Sequence, residues 1–276
     1  MAALLARAAR LGLTPLDAQL LLARATGWSR AQLFAHDDRV VDANAIARFE
    51  ADCARRADDE PLAYIEGCKE FWSLDLAVTP DTLVPRPETE LLVELALAAL
   101  PATAQRVADL GTGSGAIALA LAHERPDWSI TAVDVSAAAL AVAQRNATRL
   151  GLHNVTFRQG SWCAPLEGEA FDAILSNPPY IDPDDAALQA LRHEPLSALA
   201  AADEGYADLV AIADEARHWL KPGGLLLMEH GATQATRLAA ELVARGYARV
   251  VCHPDLAGLP RVTAAQWTGT LSPTIR

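Results

Sequence analysis

Two short stretches of this chain carry residue types able to do chemistry. In "DLGTGSGAIAL", Gly111, Gly113 and Gly115 stand between an apolar strand and an apolar helix. Glycine there allows tight turns and a close backbone approach to a ligand, and the helix start offers N–H groups. Asp134 ends the next apolar run, "SITAVD", nineteen residues past Gly115. In a strand–loop–helix–strand unit, an acid at that place accepts the hydroxyls of a ribose. The loop has no Gly-Lys-Ser/Thr ending, so a triphosphate site is not expected. A dinucleotide fingerprint also wants a glycine where this chain has Ala116. Two ligands stay open, a dinucleotide or a single nucleoside with a reactive group. The spacing favours an adenosyl ligand without pyrophosphate. Asp109, at the end of the first strand, either faces a cationic part of that ligand or caps the turn.

The second stretch is "FDAILSNPPYIDPDD", an apolar strand shut off by Asn177-Pro178-Pro179-Tyr180. Pro178 has no N–H to donate, and Pro179 keeps Pro178 extended. The residues suit a stiff strand exit. They equally suit a rigid frame that fixes an asparagine amide and nearby carbonyls at the end of a sheet, where ligands bind in open α/β folds.

The elements around these stretches fall into two textures. Residues 1–68 read as helices: Thr14-Pro15-Leu16-Asp17 supplies an N-cap, a first-turn proline and an acid, Ser29 with Gln32 repeats the capping pattern, and Ile46, Phe49 and Cys53 share one face. Short helices hide such stripes against one another, so a small helical bundle is expected. Phe71, Leu74, Leu76 and Val78 then alternate as in a hairpin, giving a linker over residues 69–84. From 85 to 276, seven apolar strands interleave with helices, which predicts a mostly parallel, Rossmann-like α/β sheet covered on both faces. Only "DLAGLP" separates the last two strands, so that pair is expected to be antiparallel.

Composition narrows the function. The chain of 276 residues has 23 Lys+Arg against 35 Asp+Glu, a formal net charge of -12. That disfavours direct nucleic-acid binding, which leans on phosphate neutralisation, and suits a cytoplasmic enzyme. The four cysteines are scattered, and no His/Cys spacing points to a metal. Cys163 has no histidine near it in sequence to make it a nucleophile. "MAALLARAARLGLT" reads as a helix, with arginines inside its apolar pattern, rather than as a signal peptide. No run of about 18 apolar residues predicts a membrane span.

Glycine loop, acid and "NPPY" together resemble the class I S-adenosylmethionine-dependent methyltransferases that act on planar amino groups. More narrowly, "EFW", "LVPRPETE", "DLGTGSGAIAL", "SNPPYI", "EP" then "AL", and "LLLMEHG", in that order, resemble the bacterial glutamine methyltransferases that modify class 1 peptide chain release factors. The likeness covers nearly the whole chain. It implies S-adenosyl-L-methionine as cofactor, S-adenosyl-L-homocysteine as product, no metal, a release factor as partner, and a monomer whose N-terminal bundle docks the substrate. It assigns Asp109, Gly111, Thr112, Gly113, Ser114, Gly115, Asp134, Trp162 and Asn177 to the cofactor. Arg86, Glu90, Asn177, Pro178, Pro179 and Tyr180 fall to the substrate. Relatives commonly have an acid before the tryptophan, available to the adenine amino group; here Ser161 stands there, a neutral and weaker partner.

The resemblance gives "NPPY" a chemical task. A carboxamide nitrogen is a poor nucleophile because its lone pair is delocalised into the carbonyl. Two acceptors, the Asn177 side-chain oxygen and the Pro178 carbonyl, would hold the two N–H bonds so that the lone pair turns toward a methyl donor. Tyr180 would pack on the flat amide, and Asn177, Pro178 and Tyr180 would catalyse by positioning and preorganised polarity. Methylation of an adenine amino group in nucleic acid poses the same geometry and is the alternative. A nonreactive nucleoside-binding module is a third reading, disfavoured by the paired acceptors.

Overall fold

Side-chain caps at Thr14 and Ser29 start two helices of the N-terminal region where the sequence indicates. The computed structural model describes residues 1–35 and 39–269, which divide into two units, Met1–Cys68 and Lys69–Arg276. In the first, helices α1 (Ala2–Arg10), α2 (Pro15–Thr26), α3 (Arg30–Ala35), α4 (Ala43–Ala57) and α5 (Leu62–Glu66) follow one another. Thr14 Oγ1 accepts the Asp17 N–H at 3.1 Å, and Ser29 and Gln32 bond each other's backbone N–H reciprocally. The stripes meet in a core of Leu21, Leu22, Phe49, Cys53 and Ile65. Asp52, buried at its edge, accepts from Arg24 at 2.8 Å, so its charge is not left unpaired.

A hairpin follows in the chain, β1 (Cys68–Phe71) and β2 (Leu74–Ala77), all but its first residue in the second unit. Trp72 and Ser73 both take left-handed backbone, φ 52° and 60°, as a two-residue hairpin turn demands. Non-glycine residues there are costly. Carboxylates hold them: Glu90 accepts the Trp72 N–H at 2.8 Å, Glu124 the Trp72 indole N–H at 2.9 Å, and Glu70 the Ser73 N–H at 2.6 Å.

Strands β3 (Arg106–Leu110), β4 (Ser129–Asp134), β5 (Val155–Gln159), β6 (Phe171–Ser176), β7 (Leu220–Glu229), β8 (Tyr247–Pro254) and β9 (Pro260–Trp267) form one sheet in the order β5-β4-β3-β6-β7-β9-β8. The first five run parallel; β9 is antiparallel to both β7 and β8. The expected antiparallel last pair is present, and the final strand is inserted inside the sheet. Helices α6 (Glu90–Ala99), α7 (Ala116–Glu124) and α8 (Ala137–Leu150) cover one face together with the hairpin's Phe71, Leu74 and Leu76. The helices Ala207–Ala216 and Ala235–Ala244 cover the other. Alternation along β6 divides Ala173 and Leu175 from Ile174, each side fully buried.

Strand order reverses between β3 and β6, and there the two motifs meet. Leu110 is in register with Ser176, and the Ser176 hydroxyl donates to the Leu110 carbonyl at 2.8 Å. The glycine loop and the Asn177 segment leave the sheet from those two paired residues. Open α/β sheets bind ligands at such a point, beyond the carboxyl ends of the strands.

Candidate active site

The glycine loop is left-handed at Gly111, Gly113 and Gly115, with φ of 73°, 56° and 90°. A Cβ at Gly115 would lie 2.9 Å from Leu119 Cδ1 and 3.2 Å from Ala143 Cβ, so this glycine sets how closely α7 and α8 pack. A Cβ at Gly113 would meet nothing within 4 Å. Four of the loop's N–H groups bond within the protein: Gly111 and Thr112 donate to the Val133 carbonyl, Gly113 to Asp134 Oδ2, and Gly115 to the Thr112 carbonyl. Those donors are turned away from any pyrophosphate, which supports the adenosyl ligand over the dinucleotide. Asn146, fully buried on α8, links the loop to the hairpin by donating to the Ser114 and Ala77 carbonyls and accepting the Ala77 N–H.

A cavity of about 430 Å³ opens over this loop, within the usual range for small-ligand sites. Gly111, Gly113, Asp134, Trp162, Asn177 and Pro179 stand in its wall. Asp109, Thr112, Ser114 and Gly115 are buried beneath it instead. Asp109 Oδ2 caps the turn, accepting from the Thr112 hydroxyl at 2.7 Å and the Ala118 N–H at 3.2 Å. Asp109 Oδ1 is buried with no partner, and burial pushes this carboxyl up to about 7. Asp134 accepts from Gly113 and Ser136 at 2.9 Å each, leaving carboxylate lone pairs for a ligand hydroxyl.

Trp162 has φ 42°, and a Cβ on Gly111 would sit 3.4 Å from its ring. Asp208 is also in the cavity wall, and burial raises its carboxyl above the ordinary range. Cys163 beside it is buried, which holds its thiol far above the usual value and excludes a ready thiolate. Among the described residues no group of His, Cys, Asp and Glu is arranged to hold a metal ion.

A second cavity, about 220 Å³, is lined by Leu83, Arg86, Asn177, Pro178, Tyr180, Ile181 and Leu199 among others. Asn177 stands in the wall of both cavities. Among the described residues no donor reaches Asn177 Oδ1 or the Pro178 carbonyl, while the Asn177 amide nitrogen donates to Thr89 Oγ1 at 3.1 Å. Thr89 donates in turn to Glu229 Oε2 at 2.7 Å, and the Tyr180 hydroxyl to Glu229 Oε1 at 3.1 Å. Thr89 and Glu229 were not candidates from sequence. Each sits inside a stretch that carried the resemblance, "PRPETE" and "LLLMEHG", but no spacing pairs residues 140 positions apart.

Arg86 and Glu90 separate in the fold. Arg86 lines the second cavity and pairs with Glu194, whose other oxygen accepts the Val84 N–H at 3.0 Å. A local Arg86–Glu90 pair does not form, because Glu90 is taken by the hairpin turn. Glu194 thereby anchors the loop after Tyr180, which returns to form a bridge between Ile181 and Ala200.

The back of Tyr180 is held by an unusual turn. Asp203, Glu204 and Gly205 are left-handed in succession, φ 56°, 55° and 82°. Gln234 donates to both the Tyr180 carbonyl at 3.1 Å and the Glu204 carbonyl at 3.3 Å. Arg237 stacks 4.0 Å from the Tyr206 ring centroid and pairs with Asp203 and Glu204.

Comparison with known proteins places these features in company. Residues 2–67 match the PrmC N-terminal domain family, and residues 87–202 match the Methyltransferase small domain family. The release factor glutamine methyltransferase of Coxiella burnetii is 48% identical over 252 residues, 91% of each chain. Its counterpart in Escherichia coli K12 is 46% identical over 253 residues, again 91% of each. A solved methyltransferase from Pyrococcus furiosus matches with a TM-score of 0.53 at 19% identity, over 71% of this chain and 90% of that one. That last likeness shows the fold alone.

Proposed function

Because the chain belongs to the release factor glutamine methyltransferase family, we propose that its two cavities bring S-adenosyl-L-methionine and a glutamine side chain of a class 1 release factor to opposite sides of Asn177. The reaction moves a methyl group to the amide nitrogen of the glutamine in the Gly-Gly-Gln motif. Asn177, shared by both cavity walls with its oxygen unclaimed, is the observation that carries this reading.

The donor supplies an electrophilic methyl on a sulfonium; the protein supplies placement. Asp134 receives the ribose, the open side of Gly113 admits the ligand, and buried Asp109 fixes the turn of the loop through the Thr112 hydroxyl and the Ala118 N–H. Asn177 Oδ1 and the Pro178 carbonyl accept the two amide N–H bonds, which aims the nitrogen lone pair across the boundary between cavities. The nitrogen gains a carbon and becomes strongly acidic, so its spare proton passes to water without a dedicated base. Tyr180 packs on the amide plane, and Arg86 closes the far wall. The N-terminal helical unit, residues 1–68, serves to dock the release factor, and the enzyme works in the cytoplasm, where translation ends. An adenine amino group fits the same acceptors in principle, but the net charge of -12 and the named relatives favour the amide.

Asp208 answers the absence of an acid at Ser161. It stands in the same cavity wall, beside Trp162, and takes the adenine amino group from another element. Replacing Asp208 by Ala is expected to weaken cofactor binding about tenfold, the value of one hydrogen bond to a charged group. Calorimetric titration with S-adenosyl-L-methionine checks this, and unchanged affinity removes Asp208 from the adenine pocket. Asp134→Asn keeps one acceptor and loses the charge, so a comparable weakening of about 10- to 30-fold is expected in the same titration. A dissociation constant equal to that of the parent protein would withdraw the ribose assignment.

The reaction itself is tested by incubating the enzyme with isotopically labelled donor and purified release factor, then weighing the Gly-Gly-Gln peptide by mass spectrometry. One added methyl on glutamine is expected. No transfer to that residue overturns the reading.

A further inference from the structure

We propose that Glu229 and Thr89 are positioning residues that set the direction of the hydrogen bonds around the Asn177 carboxamide, forcing its oxygen rather than its nitrogen toward the substrate. This rests on the reading that Asn177 Oδ1 accepts from the substrate amide.

A carboxamide has two ends of similar size and opposite polarity, and rotation by half a turn exchanges an acceptor for a donor. An NH₂ facing the substrate nitrogen would repel its N–H bonds. Something must therefore choose the end, and the prolines cannot, because they fix the backbone and not the side-chain torsion. Thr89 Oγ1 lies 3.1 Å from the Asn177 nitrogen and 2.7 Å from Glu229 Oε2. An ionised carboxylate only accepts. The Thr89 hydroxyl therefore points its proton at Glu229 and its lone pair at Asn177, so only the NH₂ end of the amide finds a partner there. The oxygen is left for the cavities.

Glu229 does the same for the second member of the motif. The Tyr180 hydroxyl donates to Glu229 Oε1 at 3.1 Å, and burial keeps that phenol protonated well above its usual range. One carboxylate on β7 thus orients two side chains that leave the end of β6. Its surroundings suit the task. Glu229 is 1% exposed and appears in the wall of neither cavity, so it meets neither ligand and acts through its neighbours. The charges facing it are the guanidinium of Arg261 on β9, which favours ionisation, and Glu88 beside Thr89, which opposes it. Arg261 is itself fixed by Asp255 at 3.2 Å and the His230 carbonyl at 3.3 Å. Burial pushes Glu229 up to about 7, so its ionised, acceptor-only state is gained as pH rises through neutrality. Below that range a proton on Glu229 turns it into a donor and the chain of bonds loses its direction.

The test measures single-turnover methylation of the release factor, cofactor affinity and a pH profile for Thr89→Val, Thr89→Ser and Glu229→Gln, each also in an Asn177→Ala background. Thr89→Val keeps the shape and removes the hydroxyl, and is expected to slow turnover about 10- to 100-fold by loss of placement, with cofactor affinity within about twofold. Thr89→Ser restores the hydroxyl and is expected to recover most of that loss. Glu229→Gln can accept from one hydroxyl only, and should both slow turnover and abolish the rise of rate with pH near neutrality. In the Asn177→Ala background Thr89→Val should add nothing, since no amide remains to orient. If Asn177→Ala is inactive while Thr89→Val turns over like the parent, this inference fails and the site reading survives. If Asn177→Ala is itself active, the site reading fails. Equal losses in Thr89→Val and Thr89→Ser would mean a packing role and would also overturn the proposal.

Discussion

Asn177→Ala is expected to lower single-turnover methylation about 100- to 1000-fold, roughly 3–4 kcal/mol, with only a few-fold change in affinity for S-adenosyl-L-methionine. The asymmetry follows from where the residue stands. Asn177 lines the first cavity, but so do Gly111, Gly113, Asp134 and Trp162, which in the proposed reading would hold the cofactor with it. Toward the amide nitrogen the proposed reading makes it one of two acceptors, whose bond would gain strength as positive charge develops on that nitrogen. A loss confined to KM would instead mean uniform binding of ground and transition states. Asn177→Asp makes a sharper comparison. Its second carboxylate oxygen would face Thr89 Oγ1, whose proton is committed to Glu229, and would bring a like charge toward that buried acid. Asp is therefore expected to retain little activity although it keeps an acceptor. Near-parental turnover by Asn177→Ala, at saturating cofactor and release factor, would return "NPPY" to a stiff strand exit.

Gly205→Ala is expected to destabilise the protein by about 2–5 kcal/mol and to depress methylation more than cofactor binding. Two costs add. The left-handed backbone, φ 82°, penalises any Cβ by about 1–2 kcal/mol. Here the Cβ would also lie 2.1 Å from the Tyr180 carbonyl oxygen and 2.7 Å from its carbon, both backbone atoms that no side-chain rotation relieves. Overpacking of that kind costs about 1–3 kcal/mol. The relief available is a shift of Tyr180 and the bond it accepts from Gln234, which moves the substrate wall while the glycine loop stays on the neighbouring strand. Thermal unfolding should show a midpoint lower by about 5–15 °C. Methylation rate and calorimetric affinity measured below that midpoint separate the two effects. A variant as stable and as fast as the parent would show that the turn Ala202–Gly205 does not buttress Tyr180.

The sequence is most legible where structure is local. Each of Gly111, Gly113, Asp134, Trp162 and Asn177 lies at or just past a strand's carboxyl end, which is legible because a strand's end and the loop after it are contiguous in the chain; that they share one cavity wall follows from the parallel pairing of those strands. Caps such as Thr14 with Asp17 were readable for the same reason, acceptor and donor being three residues apart. Spacing does not tell whether a side chain takes a near or a distant partner. Arg86 and Glu90, one helical turn apart, go to Glu194 and to the Trp72 N–H instead. Nor does the sequence show that the Thr112 hydroxyl donates to Asp109, or that Ser114 is buried with its carbonyl bonded by Asn146.

The sequence by itself determined the strands and their alternation, a glycine loop without the triphosphate ending, and the pair of prolines that stiffens the backbone at Asn177. Backbone sterics and hydrophobic periodicity act over a few residues, and they are written in residue order. Only the tertiary structure decided that Leu110 and Ser176 stand in register, so that two motifs 66 residues apart open into one site. It also decided that Thr89 and Glu229, on different elements, close a chain of hydrogen bonds onto Asn177. The direction of a hydrogen bond depends on which groups are buried together and which of them is charged, and burial is a property of the packed sheet.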